Sequence, residues 1–343
     1  MSKAAICVVV PVYKAMATLD RCVESVLAQQ VEGGLTCILV DDGSPDESGA
    51  LCDAWAAKDD RVTVIHQDDL GVSGARNSGL AAADSEFIVF LDSDDALRPG
   101  ALQAALTAQR AAPQDFVVWH YTTDEKDPAA VTADAEPRTQ AGLARLWLDC
   151  LLAMPWNKLY RADLAKQLQF DVQYTLGEDL QFVLDYIALL GQTVPEFGYR
   201  VMTSPLTFYD CSRGGTLSTR YHANYCDIWP KHFAKLNAAC HAAACPAEDM
   251  RPLHRAELQV FAEGVADIMR RDPSPTQRLK GYKAEAALRS PWLRALLERM
   301  KIEHCYSAYY LPCRWRNVGL VCRVDEARRA NAPLYGKLDW AGY

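Results

Sequence analysis

Three carboxylates stand within four residues at Asp92-Ser93-Asp94-Asp95, directly after the apolar run Phe87 to Leu91. Set side by side, such groups repel one another and cost stability unless a cation neutralises them. Oxygen ligands of this kind suit Mg²⁺ or Mn²⁺ held partly by substrate phosphates, while a solvated acidic turn is the plainer reading. A second place is Asp41-Asp42-Gly43-Ser44. A carboxylate accepting from a base imide or a ribose hydroxyl would explain it, and so would an ordinary Asp-Gly turn leading into a helix. The third is Pro11-Val12-Tyr13, where Tyr13 could lie beside a nucleobase or pack as a half-buried structural tyrosine. No glycine stands near it to let the backbone approach a pyrophosphate, which argues against a Rossmann oxidoreductase.

These places share one context. Ala5 to Val12, Leu35 to Val40, Arg61 to His66, Glu86 to Leu91 and Asp115 to Tyr121 are short apolar runs rich in Val, Ile and Phe, as buried strands are. Helical patterns separate them. Thr18 is placed to cap a helix whose Leu19, Cys22, Val23, Val26 and Leu27 share a face, and Pro99 is placed in the first turn of another. The alternation predicts an α/β sandwich with a mostly parallel sheet, in which ligands bind beyond the carboxyl ends of the strands. Each of the three places lies just after a strand.

The chain has 343 residues, half of them hydrophobic, enough for one large domain with an appendage or for two domains. No uncharged apolar stretch approaches the roughly 20 residues of a membrane span. Met1-Ser2-Lys3 followed by Ala4 to Val10 has the outline of a signal peptide, but no small-residue cleavage site follows, and a first strand is the better reading. Twelve cysteines spread over a large chain, some inside apolar runs (Cys7, Cys37), suggest buried reduced thiols in the cytoplasm. Residues 1–220 carry a net charge of -14 and residues 221–343 of +6, within a total of -8.

In order along the chain stand VVVPVY, VDDGSPDES, GVSGARNSGL, FLDSDD, WNKLYR, GEDLQF and YDCSRGGTLS. With these motifs, residues 5 to about 220 resemble the family 2 glycosyltransferases with the GT-A fold. The resemblance implies a catalytic domain over residues 1–220, which leaves 221–343 as a separate region of helical pattern, and inverting transfer of a single sugar from a nucleotide-diphosphate sugar, a UDP-sugar first among them, to an acceptor hydroxyl. By position it implies that Pro11, Tyr13 and Asp42 hold the nucleoside, that Arg76 helps anchor the nucleotide, and that Asp92 and Asp94 form the DxD element gripping donor and metal. It also implies that Asp179 is the catalytic base. Chemistry suits that division: a cation and an arginine stabilise the leaving diphosphate, and a carboxylate opposite takes the acceptor's proton. Retention would need a second carboxylate as nucleophile, and the resemblance offers none.

Each role has a structural rival. Asp179 opens the helical pattern Leu180, Val183, Leu184, Ile187, where the helix dipole favours a carboxylate without any catalytic task. Arg76 could be an exposed helical arginine, and Trp156 either a sugar-stacking platform or a core tryptophan. Arg213, in Cys211-Ser212-Arg213-Gly214-Gly215, could cover the donor phosphates from a glycine-containing loop. The chain also departs from the family pattern. Lys14 stands where Asn often follows PVY, and Asp68-Asp69-Leu70 replaces the more usual Glu-Asn-Gly. Arg314-Trp315 resembles part of the QxxRW element of processive synthases, but Leu311 takes the Gln place, so single-sugar addition is expected.

Beyond residue 220 the pattern is helical. Cys240-His241 with Cys245 matches no familiar zinc spacing and reads as core packing. Ser290-Pro291 starts a helix with the stripe Trp292, Leu293, Leu296, Leu297, Met300, flanked by Arg294, Arg299 and Lys301 and followed by Tyr306, Tyr309, Tyr310, Trp315 and Arg316. That surface could rest on anionic lipid at the inner face of the cell membrane, pack on the catalytic domain, or bind a partner. Nucleic acid is not expected of an acidic chain without such a motif. The expected partners are the nucleotide-sugar donor and a saccharide or lipid-linked saccharide acceptor of surface polysaccharide synthesis. Two other classes compete. A metal-dependent nucleotidyltransferase would leave Glu178-Asp179 and WNKLYR without a role, and a catalytically silent nucleotide-sugar-binding protein would have no need of Asp94 and Asp179.

Overall fold

The computed structural model describes residues 3–174, 176–211 and 220–331. The chain folds as two compact units, Met1–Gln140 with Leu151–Ser212 and Ala141–Cys150 with Arg213–Tyr343. The strands are β1 (Ala4–Val12), β2 (Leu35–Asp42), β3 (Val62–Gln67), β4 (Ser85–Phe90), β5 (Ala96–Leu97), β6 (Phe116–Thr122), β7 (Ala135–Thr139), β8 (Lys158–Arg161) and β9 (Gly198–Phe208). The helices are α1 (Leu19–Leu27), α2 (Ser48–Lys58), α3 (Gly71–Ala82), α4 (Ala101–Ala111), α5 (Leu143–Leu148), α6 (Ala162–Ala165), α7 (Glu178–Thr193), α8 (Tyr225–Ala242), α9 (Ala247–Arg271), α10 (Gln277–Ala287), α11 (Pro291–Glu303), α12 (Tyr310–Arg314) and α13 (Val318–Asn331).

Every strand among the described residues lies in the first unit, in the order β3-β2-β1-β4-β8-β6-β9-β5, with β7 added against β9. The five expected strands appear as β1, β2, β3, β4 and β6, shifted by one or two residues. β3, β2, β1 and β4 are mutually parallel. Beyond β4 the sheet is mixed: β8 runs antiparallel to both β4 and β6, while β6 and β9 are parallel. The parallel half is what the apolar runs foretell, since β1 is buried along all but its first residue, as a strand covered on both faces must be. The short β8 and β5, and the polar β7 with Pro137, carry no such signal.

Helix α3 lies against β1 at close range, because a Cβ on Gly79 would fall 2.2 Å from Val9 Cγ1. α1 buries Leu19, Cys22, Val23 and Val26 as expected, but Thr18 caps nothing; its hydroxyl donates to Ala15 O at 3.4 Å. Pro99 likewise precedes α4 rather than entering it, and Gly100, at φ 77°, turns the chain into the helix. α7 is anchored through Phe182 and Tyr186, which join Phe90, Phe116, Tyr160 and Phe170 in one aromatic cluster. Such ring pairs contribute about 0.5–1.5 kcal/mol each beyond the area they bury.

The second unit is helical and centred on α9, the longest helix. Residues 141–150, expected with the catalytic domain, belong here instead, because Trp147 of α5 packs edge-on against Trp229 and Phe233 of α8. α11 starts as read: the Ser290 hydroxyl accepts from Leu293 N, with Pro291 as the first helical residue. Its stripe Leu293, Leu296, Leu297, Met300 is buried in the helical core. Cys240 is buried there too, while His241 is exposed. All twelve cysteines are free thiols.

Candidate active site

The strands β1, β2 and β4 are neighbours, and the three sequence places lie at or just beyond their carboxyl ends. Pro11 is buried within β1, opposite Val40. Tyr13 emerges 43% exposed, with Lys14 Nζ 5.0 Å from its ring centroid. Lys14 has φ 53°, the left-handed conformation that asparagine tolerates better than most residues. Its amide donates to Ser44 Oγ, and that of Ala15 to Ser48 Oγ, which ties this segment to the turn after β2.

Asp41 and Asp42 divide the work of that turn. Asp41 accepts from Ser44 N at 3.1 Å and pairs with His66 Nδ1 at 3.0 Å, while His66 Nε2 meets Asp53 at 2.9 Å. Burial opposes ionisation of Asp41, but the Ser44 and His66 hydrogen bonds outweigh it and hold the carboxyl below its ordinary value. Asp42 is buried, and its Oδ1 accepts from Gln67 Nε2 at 2.7 Å and Leu70 N at 3.0 Å, fixing the divergent Asp68-Asp69-Leu70 turn. Gly43, at φ 67°, has no room for a side chain: a Cβ would sit 3.0 Å from Asp69 N.

The acidic turn after β4 is not three equivalent carboxylates. Asp95 is fully buried, its Oδ1 accepts from Asp210 N at 3.0 Å, and burial together with neighbouring Asp92 pushes its carboxyl up to about 9. Burial therefore favours a protonated Asp95 at neutral pH, which eases the repulsion within the turn. Asp92 and Asp94 remain part-exposed. Arg21 of α1 braces the turn by donating to Asp94 O at 2.5 Å and to Asp210 Oδ2 at 2.6 Å.

Arg76, 3% exposed, stands between the strand ends and α7. Its Nη2 donates to Asp92 Oδ1 at 2.8 Å and its Nη1 to Asp179 Oδ1 at 2.5 Å, while its guanidinium lies 5.4 Å from the Phe170 ring centroid. The exposed-arginine alternative is thus excluded. Asn77 next to it exchanges two 2.8 Å hydrogen bonds with the backbone of Phe170, which holds the ring in place. Asp179 is recessed among protein atoms, yet 29% of its side chain meets solvent. Desolvation pushes its carboxyl up to about 7 against the pull of Arg76, with Glu178 and Asp92 adding to the rise.

Trp156 is not a platform. It is buried, stacked on Tyr209 at 5.4 Å and edge-on to Tyr121. Arg213 lies outside the described residues. For a cation, Asp92 and Asp94 offer an open pair. Among the described residues they gather no third carboxylate, histidine or cysteine into a ligating cluster. Such a pair fits Mg²⁺ or Mn²⁺, which take one or two carboxylates and complete their shell with phosphates and water.

Residues 7–169 match the model of Glycosyl transferase family 2. This stretch is a family 2 glycosyltransferase domain. Glycosyltransferase GlyG of Streptococcus pneumoniae is 39% identical over 124 residues, 36% of this chain and 41% of that protein. Succinoglycan biosynthesis protein ExoO of Rhizobium meliloti is 31% identical over 211 residues, 56% of this chain and 58% of that protein. The chain thus spans about half the length of the curated relatives it matches. The crystal structure of S. aureus TarS 1-349 in complex with UDP-GlcNAc superposes with a TM-score of 0.64 at 16% identity, covering 96% of this chain and 93% of that one, which shows the GT-A fold.

Within the family 2 domain, several structural partners were not singled out from the sequence. Lys158 of WNKLYR is fully buried, its Nζ donating at 2.6 Å to Leu151 O, Met154 O and Asn157 Oδ1, and burial holds its pKa well below the ordinary lysine value. Arg21 and Asp210 were missed as well; an arginine among the apolar positions of α1 was the available signal. Asp179 lies beyond the matched range, and its placement beside Arg76 comes from the fold.

Proposed function

We propose that this chain is a metal-dependent, inverting glycosyltransferase that moves a single sugar from a nucleotide-diphosphate sugar onto an acceptor hydroxyl in surface polysaccharide assembly. The observation that carries the reading is Arg76, buried with one hand on Asp92 of the DxD element and the other on Asp179. One guanidinium thereby links the residues proposed for the leaving group to the residue proposed for the acceptor. Pro11, Tyr13 and Asp42 hold the nucleoside, and Arg76 and Arg213 take the phosphate side. A divalent cation, Mn²⁺ or Mg²⁺, bound by Asp92 and Asp94, would neutralise charge on the departing diphosphate.

Asp179 accepts the acceptor's proton while the acceptor oxygen bonds to the anomeric carbon and the bond from that carbon to the diphosphate breaks. A single displacement of this kind inverts the centre. A carboxyl with a pKa near the working pH suits a general base, and Asp179 meets that condition at about 7. Support for a UDP-sugar comes from the UDP-GlcNAc held by TarS, and for a polysaccharide acceptor from the succinoglycan role in the name of ExoO.

The test is a panel of nucleotide sugars with Mn²⁺, read as release of free nucleoside diphosphate. Asp94→Ala should abolish transfer and weaken nucleoside diphosphate binding while the fold persists. Pyrophosphate as product, full turnover of that variant, or full wild-type turnover in excess chelator would overturn the reading.

The protein would work at the cytoplasmic face of the cell membrane, and no helix among the described residues is long and apolar enough to cross one. With the α11 stripe buried, contact falls instead to Ile302, Tyr306, Leu311 and Trp315, exposed among Lys301, Arg314 and Arg316. Anionic vesicles should sediment the protein at low salt and less at high salt. Equal recovery in the supernatant with and without anionic lipid would remove this contact.

A further inference from the structure

We infer that His254, Glu303 and Cys305 form a site for one zinc-class divalent cation in the helical unit, separate in chemistry from the acidic turn. The ligand atoms of the three side chains lie within 4.8 Å of one another, the one such group among the described residues. Two are sealed: His254 and Cys305 are each 1% exposed. Glu303 is part-exposed, so water can complete the shell from its side. A nitrogen, a carboxylate oxygen and a thiolate sulfur around one point suit Zn²⁺, and they are a poor set for Mg²⁺ or Ca²⁺, which prefer oxygen throughout.

The fold builds this meeting. α11 ends at Glu303, and His304 follows at φ 54° in the left-handed conformation. The Cys305 amide then bonds back to Met300 O at 3.0 Å, the closing bond of a Schellman turn. That reversal carries Cys305 inward and sets its Sγ 3.6 Å from Glu303 Oε2. From α9, His254 brings Nδ1 to 2.7 Å from the same oxygen. One carboxylate oxygen thus faces both other donors.

The surroundings orient the imidazole. Asn237 donates its amide to Phe233 O at 2.8 Å and Glu257 Oε1 at 2.6 Å, which leaves its Oδ1 toward His254 Nε2 at 3.2 Å. A ligating histidine needs such an acceptor for its second nitrogen, and outer partners of this kind typically matter about 10–100-fold in metal affinity. Without metal, Arg299 Nη1 faces both Nε2, at 3.2 Å, and Asn237 Oδ1, at 3.4 Å, so His254 donates from Nδ1 to Glu303. On binding, the ring proton moves to Nε2 and is donated to Asn237, Nδ1 and the Cys305 sulfur bond the ion, and one proton leaves, from the thiol. Arg299 has somewhere to go, since it lines a cavity of about 310 Å³ beside Trp292 and His241.

The experiment uses the untagged full chain, stripped of metal, with Zn²⁺ titrated against a chromophoric chelator and Co²⁺ as the spectroscopic probe. We expect one equivalent of Zn²⁺ retained in the presence of excess Mg²⁺ and by the Asp94→Ala variant, with a thiolate-to-Co²⁺ charge-transfer band. Cys305→Ser should remove the band, and both it and Glu303→Ala should weaken Zn²⁺ at least tenfold while helical circular dichroism persists. Cys322→Ser should change neither. No retained zinc, or retention undiminished in both ligand variants, overturns the site and leaves the donor-site reading untouched.

Discussion

In the first unit the buried partner is the cation: Arg76 is sealed while Asp92 and Asp179 keep 28% and 29% of their side-chain surface in water. Around Asn237 in the second unit the buried group is an acid: Glu257 is sealed against Asn237, and Arg299 stands half-buried at the edge of the network. An arginine survives burial charged, because no accessible pH removes its proton, whereas a carboxylic acid answers burial by keeping its own. The first arrangement presents anions to an incoming ligand on a fixed positive support. The second stores a neutral acid inside a helical core. The buried Arg76 thus supports carboxylates open to a ligand, whereas the buried Glu257 only holds its neighbours in place.

The comparison is tested hardest at Asp179. If the part-exposed carboxylate is there to take a proton, Asp179→Asn should keep metal-dependent donor affinity almost unchanged and lower turnover by about 10² to 10⁴. The wild-type rate should also fall as pH drops below about 7, where Asp179 becomes protonated, and this acid limb should be missing from the residual rate of the variant. Near-normal turnover with lowered stability would make Asp179 a structural carboxylate at the start of α7.

Next in size is the buried cation. Arg76→Ala leaves two carboxylates facing each other, and breaking a buried ion pair typically costs roughly 3–5 kcal/mol. Since both acids reach solvent, the loss should fall at the lower end of that range, read as a reduced urea midpoint at constant slope. Arg76→Lys keeps the charge but loses the fork that spans both acids, and should recover only part of the loss. An unchanged midpoint in Arg76→Ala would mean the support is dispensable.

The two units were not equally legible. The parallel strands announce themselves as apolar runs because both faces of β1 are covered, and the site residues fall just after them for the same topological reason. Asp92, Asp94 and Asp95 could not be told apart by type, since what separates them is the direction each side chain takes after β4. The left-handed Lys14 shows why the family pattern prefers asparagine there, a backbone demand that a side-chain reading misses. In the helical unit the silence was deeper. His254 and Glu303 lie 49 residues apart, and each reads singly as a residue in an amphipathic helix. Only a left-handed residue after α11 turns Cys305 to meet them, and nothing in an ordinary Glu-His-Cys string foretells it.

The pH-dependent effect lies in Glu257, whose carboxyl burial pushes up to about 8 against the Asn237 hydrogen bond. An unfolded glutamate titrates at about 4.3. Between those values the folded chain holds a proton that the unfolded chain has released, so this group's contribution is full below about pH 4.3 and is lost as pH rises through 8. The slope it imposes is at most about 1.4 kcal/mol per pH unit. Glu257→Gln keeps an oxygen for Asn237 and cannot ionise, so its stability should stay close to wild type at about pH 4, and by pH 8 the variant should be the more stable of the two. Urea unfolding of metal-free protein at both values measures the difference. Parallel stability profiles would mean that Glu257 is ionised at neutral pH and paired with Arg299, which would erase its contrast with the Arg76 site.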